Sequence, residues 1–302
     1  MIVFTDDKIL TEEYFPGQID WIKEYSSHNI PLNAFLPEDH HTGIVDLPWW
    51  NYAIITKDAP RSQYDILIRL AKENHSLSDK TILLAATGKD FHGFRNRRWE
   101  AHQGNIHLSV YFTPDKEIQR FGSEVMALPA VSVVQAIDDI DPIKKRAMIK
   151  WVNDINFDRA KVGGVLAHTQ AMGKKLTNII LGIGLNVEQK PDIAPSPSVP
   201  LATSLWENIE SHDKCKQSEI LGTLLEHLQE NYKYLCEGKG HRIIDFYRSR
   251  SMIINKEIMV YDDAKSDEPV ISRGVVERIG NDLELYLVNQ NKPITKGRLV
   301  LL

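Results

Sequence analysis

Three strand-like apolar segments, Ala147 to Val152, Val162 to Thr169 and Asn178 to Val187, succeed one another with turn-like residues between them: Asn153-Asp154 after the first and Gly173-Lys174-Lys175 before the last. Strands this closely joined form an antiparallel meander, because a parallel return needs a crossover of about a dozen residues or more. The chain must therefore be built around a sheet. Upstream, helix and strand alternate. Ile66, Leu67, Leu70 and Ala71 fall at helical spacing, Thr81 to Ala86 reads as a buried strand, Ile106 to Phe112 alternates as a strand, and Gly122 to Ile140 reads as a mostly apolar helix. The polar, arginine-bearing stretch from Thr87 to Asn105 is a long loop between two of these strands.

The ends of the chain read differently. Residues 1 to about 50 carry Pro16, Pro31, Pro37 and Pro48 among scattered aromatics, which predicts an irregular wrap and no helix-turn-helix. Lys190 to Pro200, with four prolines and no periodicity, predicts a surface loop. Leucines at helical spacing predict a helix over Ser218 to Cys236, with Ser218 as cap and Glu219 as dipole partner, and a second helix over Ile243 to Arg250. After Asn255 come short strands, Glu257 to Tyr261, Ile271 to Ile279, Leu283 to Val288 and Arg298 to Leu302, with Gly280-Asn281 as a tight turn; together they predict a small all-β barrel.

Composition excludes some functions. A formal net charge of -5 gives no field able to neutralise many phosphates, so nucleic acid is not an expected partner. No apolar run reaches the ~20 residues that span a bilayer, and Met1 to Phe4 followed by Thr5-Asp6-Asp7 lacks the order of a signal peptide, so the expectation is a cytoplasmic protein with no membrane partner. Cys215 and Cys236 flank a helix without CxxC spacing, which indicates neither a zinc site nor a disulfide framework.

Chemistry is concentrated in three places: Arg95, Arg97, Arg98 and Trp99 in the loop; Lys150-Trp151-Val152-Asn153-Asp154; and Lys161-Val162-Gly163-Gly164-Val165-Leu166. Activating a carboxylic acid with ATP requires cations that offset repulsion between carboxylate and α-phosphate and then stabilise charge at phosphorus, and Lys and Arg suit that role. An aspartate beside an asparagine can hold Mg²⁺ or orient a nucleotide. Paired glycines, and Gly182-Ile183-Gly184 in the next strand, admit close approach of a ligand or mark a bulge; the residue types leave both readings open.

In order and wording these motifs resemble the biotin protein ligase family, which belongs with the lipoate ligases. Lys150 to Ile155 looks like the family's KWPNDI, Lys161 to Leu166 like KxGGIL, Gly182 to Val187 like GIGINV, and Ala202-Thr203-Ser204-Leu205 like ATSL. The resemblance covers roughly Arg61 to Leu205 and, more loosely, the C-terminal strands.

It implies an α+β fold, a mixed β-sheet with helices packed on one side, in a catalytic domain of residues 1–254 followed by an SH3-like β-barrel of residues 255–302. It also implies an ATP-dependent ligase that forms biotinyl-5'-adenylate with Mg²⁺ and passes biotin to a lysine of a biotin carboxyl carrier protein or similar carrier domain. Carried over by position, the catalytic residues would be Lys161, Arg97 and Asp154, with Asp154 also on the metal. Ser62, Gly93, Phe94, Arg95, Gly164 and Gly182 would border the acid, and Trp99, Lys150, Asn153 and Asn186 the nucleotide. The family loop GRGRxGRxW falls on Phe91 to Trp99 and coincides at Gly93, Arg97 and Trp99 only, with Phe94 where an arginine helps hold the adenylate. A lipoate or other acyl-protein ligase on the same scaffold, or a catalytically weakened paralogue that binds carriers or acyl ligands, are the alternatives.

Overall fold

The computed structural model describes residues 1–23, 25, 30–75, 77–115, 118, 121–173, 175–192, 201–262 and 269–302, with the side chain of Lys214 excepted. The elements run β1 (Ile2–Thr5), α1 (Lys8–Tyr14), β2 (Ile19–Ile22), β3 (His41–Val45), β4 (Tyr52–Ala59), α2 (Gln63–Lys72), β5 (Thr81–Gly88), β6 (Ile106–Phe112), α3 (Phe121–Asp138), β7 (Ala147–Lys150), β8 (Asp154–Phe157), β9 (Ala160–Met172), β10 (Lys175–Leu185), α4 (Gln217–Cys236), α5 (His241–Ser249), β11 (Glu257–Tyr261), β12 (Val270–Ile279), β13 (Leu285–Leu287) and β14 (Arg298–Leu301). Ten strands form one sheet in the order β2-β3-β1-β4-β5-β6-β10-β9-β8-β7. It is mixed: β4 runs parallel to β1 and β5, and the other pairs are antiparallel.

The first fifty residues are not an irregular wrap. Strand β1 lies between β3 and β4, with Ile2 opposite both Ile44 and Tyr52, and α1 is capped by Asp7, whose carboxylate accepts from Leu10 N at 3.0 Å. Strands of four and five residues are too short for alternation to show against prolines and aromatics. The meander likewise holds four strands where three were expected. Its first run ends at Lys150, residues 151–153 turn, and Asp154 opens β8, in which only Ile155 and Phe157 carry the apolar pattern.

The helices cover both faces, not one. On one side α3 and α4 pack against Ile82, Leu84, Val110, Ile179 and Leu181; on the other, Ile66, Leu67, Leu70 and Ala71 of α2 pack on Phe4, Ile54, Leu83, Tyr111 and Ile180. Helix α3 is apolar almost all round because the sheet, α4 and α5 enclose it. Ser218 is not a cap: α4 begins at Gln217 after Lys216, which makes no side-chain cap bond. Ser62 does cap α2, accepting from Asp65 N at 3.4 Å.

After residue 255 the described strands form an antiparallel four-stranded sheet, β13-β12-β11-β14, whose outer strands are not paired with each other among the described residues, so no closed barrel is observed. This sheet is tied to the turn after β7 by Trp151, whose Nε1 donates to Leu283 O at 2.7 Å, while Tyr247 Oη of α5 donates to Val152 O in the same turn at 2.9 Å. The expected loop of residues 190–200 lies, from residue 193 on, outside the described residues. Among the described residues no helix is long and apolar enough to cross a membrane.

Candidate active site

Where β8 and β9 meet, Lys161 Nζ donates to Asp154 Oδ1 at 2.6 Å, and both side chains are mostly but not wholly buried. The lysine takes this course because residue 164 is glycine. A Cβ there would lie 3.1 Å from Lys161 Nζ and 3.2 Å from its Cε. The next strand repeats the device. A Cβ on Gly184, which faces Gly164 in the β9–β10 register, would come within 2.6 Å of the Trp99 indole, and one on Gly182 within 3.0 Å of the Tyr64 ring. The glycines thus clear one face of the sheet for the protein's own Lys161, Trp99 and Tyr64, all three of which line a cavity of about 680 Å³.

Charge at this place is lopsided. Burial holds the Lys150 ammonium below its usual range; Asp154 opposes that effect, while Lys161, Arg97 and Arg298 push it further down. Three cations therefore act on Lys150 against one carboxylate, Asp154. Arg298 arrives from β14, so the C-terminal sheet forms part of the cavity wall.

The loop between β5 and β6 folds over the cavity as a narrow ribbon. Trp99 N donates to Phe91 O at 2.9 Å, Gly93 N to Arg97 O at 2.7 Å, and the tip turns through Arg95 and Asn96, both in the left-handed region at φ 59° and 56°. Its returning arm is pinned by Trp99, whose Nε1 donates to His107 Nδ1 at 3.3 Å while His107 Nε2 donates to His102 O at 3.2 Å. Buried and read by one donor and one acceptor, His107 is neutral, pushed down to about 4.

The cavity brings together Lys161, Asp154, Arg97, Lys150, Asn153, Trp99, Ser62, Gly93, Phe94, Arg95, Gly164 and Gly182. Asn186 is the exception. It is 2% exposed and does not line the cavity; its Nδ2 donates to Thr203 O at 3.1 Å because the chain leaves β10 there and meets residues 201–205. That segment braces Lys161, whose N–H donates to Leu201 O at 2.6 Å and whose carbonyl accepts from Thr203 N at 2.9 Å. Asn153 also has a structural task, donating to Val165 O at 2.8 Å.

Tyr64, His107 and Arg298 were not anticipated. His107 and Ser109 are polar residues on one face of an otherwise apolar buried strand, a signal that was readable; Arg298 carried none, since only the tertiary fold brings it near Asp154. Among the described residues no group of three or more His, Cys, Asp or Glu side chains could form a metal cage.

Residues 63–186 match the model of the Biotin/lipoate A/B protein ligase family. The chain is 29% identical over 182 residues to the bifunctional ligase/repressor BirA of Bacillus subtilis, covering 58% of this chain and 54% of that protein, so it spans about half the length of the curated relative. It is 26% identical over 231 residues to the biotin–[acetyl-CoA-carboxylase] ligase of Mycobacterium tuberculosis, covering 75% of this chain and 80% of that protein. The fold is similar to that of the biotin protein ligase from Aquifex aeolicus in complex with biotin and ATP, at a TM-score of 0.61 and 23% identity over 83% of this chain and 98% of the other.

Proposed function

We propose, from the premise that this chain belongs to the Biotin/lipoate A/B protein ligase family, that it forms biotinyl-5'-adenylate from biotin and ATP and transfers biotin to a lysine of a biotin carboxyl carrier protein or similar carrier domain. The observation that carries this reading is Lys161 laid across Gly164 beside Asp154, at the cation-rich end of a cavity roofed by Trp99. In the first half-reaction the biotin carboxylate attacks the α-phosphorus and the bond to pyrophosphate breaks. Lys161, with Lys150 and Arg97, lies where it offsets repulsion between the two anions and stabilises the charge that grows on phosphorus. In the second half-reaction the carrier amine attacks the acyl carbon and AMP leaves.

Asp154 offers a hard oxygen, and a single carboxylate together with substrate phosphates suits Mg²⁺, which keeps several waters and seldom sits in an all-protein cage. Bound there, Mg²⁺ would neutralise phosphate charge. We assign residues 1–254 to catalysis and the β11–β14 sheet, as a partly open SH3-like unit, to closing the cavity with Arg298. Lipoate or another acyl group is the second reading, favoured by Phe94, an apolar ring 46% exposed on the roof where the resembled loop has arginine.

Pyrophosphate exchange driven by biotin, lipoate, octanoate or longer acids tests the proposal. Biotin is expected to drive exchange best, and Lys161→Arg to abolish it with the fold intact, because a planar guanidinium cannot occupy the place of a compact ammonium over Gly164. Wild-type exchange in Lys161→Arg would remove Lys161 from the mechanism, and exchange with no acid would remove the reaction.

A further inference from the structure

We infer that His92 is the positioning residue that latches the ribbon over the cavity, through Asp65 of α2, and that the latch loosens when His92 loses its proton. The ribbon is attached to the rest of the molecule on both of its arms. The returning arm is held by Trp99 in the notch at Gly184 and by His107. On the outgoing arm, His92 Nε2 lies 2.8 Å from Asp65 Oδ2 and His92 Nδ1 lies 3.0 Å from Gly93 O.

The two histidines are wired for opposite protonation states. His107 faces one donor and one acceptor, which a neutral ring satisfies. His92 faces a carboxylate and a carbonyl, both of which only accept, so both ring nitrogens must carry a proton. A neutral His92 has one N–H and turns a lone pair on one of the two oxygens, which repels it. The titration preferences agree: burial pulls His92 down, but the Gly93 carbonyl and Asp65 outweigh it and hold the imidazole above its usual value.

The charged or titratable groups around His92 are Asp65 and the neighbouring Tyr64 on α2, Arg98 opposite it on the ribbon, Arg95 and Arg97 at the tip, and neutral His107 on β6 beyond Phe91. Asp65 is the anion in direct contact with His92. Because the affinity of His92 for its proton is raised in the latched state, the latch is fully present below the ordinary imidazole value and is lost as pH rises through the raised one. Asp65 is 48% and His92 21% exposed, so the pair is in reach of water and its strength is that of a surface ion pair.

The consequence for catalysis rests on the ligase reading: a latched ribbon holds Phe94, Arg95 and Arg97 over an adenylate, and an unlatched one lets it escape. The latch itself can be tested without any ligand. Hydrogen exchange of residues 88–105 in the full chain, expressed as protection relative to the free peptide between pH 5.5 and 8.5, is expected to fall about two- to five-fold across the His92 titration. Asp65→Asn should show the low value at every pH. His92→Arg, permanently charged, should keep the high value with no step.

The NMR titration of the His92 Cε1 proton provides a second measure, above the ordinary imidazole value in the wild type and lower in Asp65→Asn. Protection that is flat with pH in the wild type, or unchanged in Asp65→Asn, would overturn the latch. If the step appears but no acid supports adenylation, the latch stands and the ligase reading fails.

Discussion

Replacing Gly184 by alanine tests whether Trp99 is seated where the structure puts it. The added methyl would lie 2.6 Å from both Cε2 and Cζ2 of the indole and 3.1 Å from Cη2. Carbon atoms prefer about 3.5–4.0 Å, so the ring must retreat by about 1 Å. It has little room to do so, because its Nε1 is already 3.3 Å from His107 Nδ1 and the ribbon backbone is bonded at Trp99 N. If the ring stays, overpacking costs about 1–3 kcal/mol; if it leaves, a hydrogen bond worth about 0.5–1.5 kcal/mol net goes with it. Alanine returns about 0.5–1 kcal/mol over glycine within a strand. The net expectation is about 1–2 kcal/mol of destabilisation, with faster protease cleavage between Gly88 and Asn105. Urea unfolding and timed limited proteolysis give both quantities. Stability within about 0.5 kcal/mol of wild type, a range ordinary for surface changes, together with unchanged cleavage would show that the notch does not hold Trp99.

Gly222 provides the opposite sign: it lies inside α4 with nothing within 4 Å of an added Cβ, so Gly222→Ala should raise stability by about 0.5–1 kcal/mol in the same urea assay. His107 makes the fold acid-sensitive. With its pKa pushed down to about 4, the unfolded chain binds a proton that the folded one refuses, so unfolding free energy should fall by about 1.4 kcal/mol per pH unit as pH drops from the ordinary imidazole value towards 4, and His107→Gln should remove that part of the slope.

What was legible in the sequence followed from how strongly one residue type repeats. Helix α2 and strand β6 fall where periodicity puts them, because ten residues at helical spacing and seven of alternation outweigh single exceptions. Strands β1, β2, β3 and β8 were missed because four or five residues give two inward positions each, too few to separate from chance. The glycines were seen but not understood: whether Gly164, Gly182 and Gly184 make room for a ligand or for side chains depends on Lys161, Tyr64 and Trp99, which lie 3, 118 and 85 positions away in the chain. Asn186 lies behind the cavity wall for a related reason. Its position in a motif says that it matters near the site, and only the hydrogen bond to Thr203 shows that it acts by holding the strand that braces Lys161.

Charge links the site to the rest of the molecule. The chain carries a formal net charge of -5, yet Lys161, Arg97 and Arg298 all act on Lys150, where Asp154 opposes them. Like charges gathered in a partly buried place repel one another and raise the energy of the folded state, and the depressed Lys150 ammonium is the direct sign of that repulsion. A concave wall concentrates the field of such a cluster at its mouth, whereas the acidic remainder repels an extended polyanion over most of the surface. The combination favours a small, highly charged anion that can enter the cavity and whose charge would offset the repulsion among the cations. A nucleoside triphosphate meets both conditions, and so does the pyrophosphate that the proposed reaction would leave behind. Under the proposed reaction, holding the anion with several separate cations, one of them contributed by the C-terminal sheet, would let the contacts to pyrophosphate be released while those to the adenylate phosphate remain.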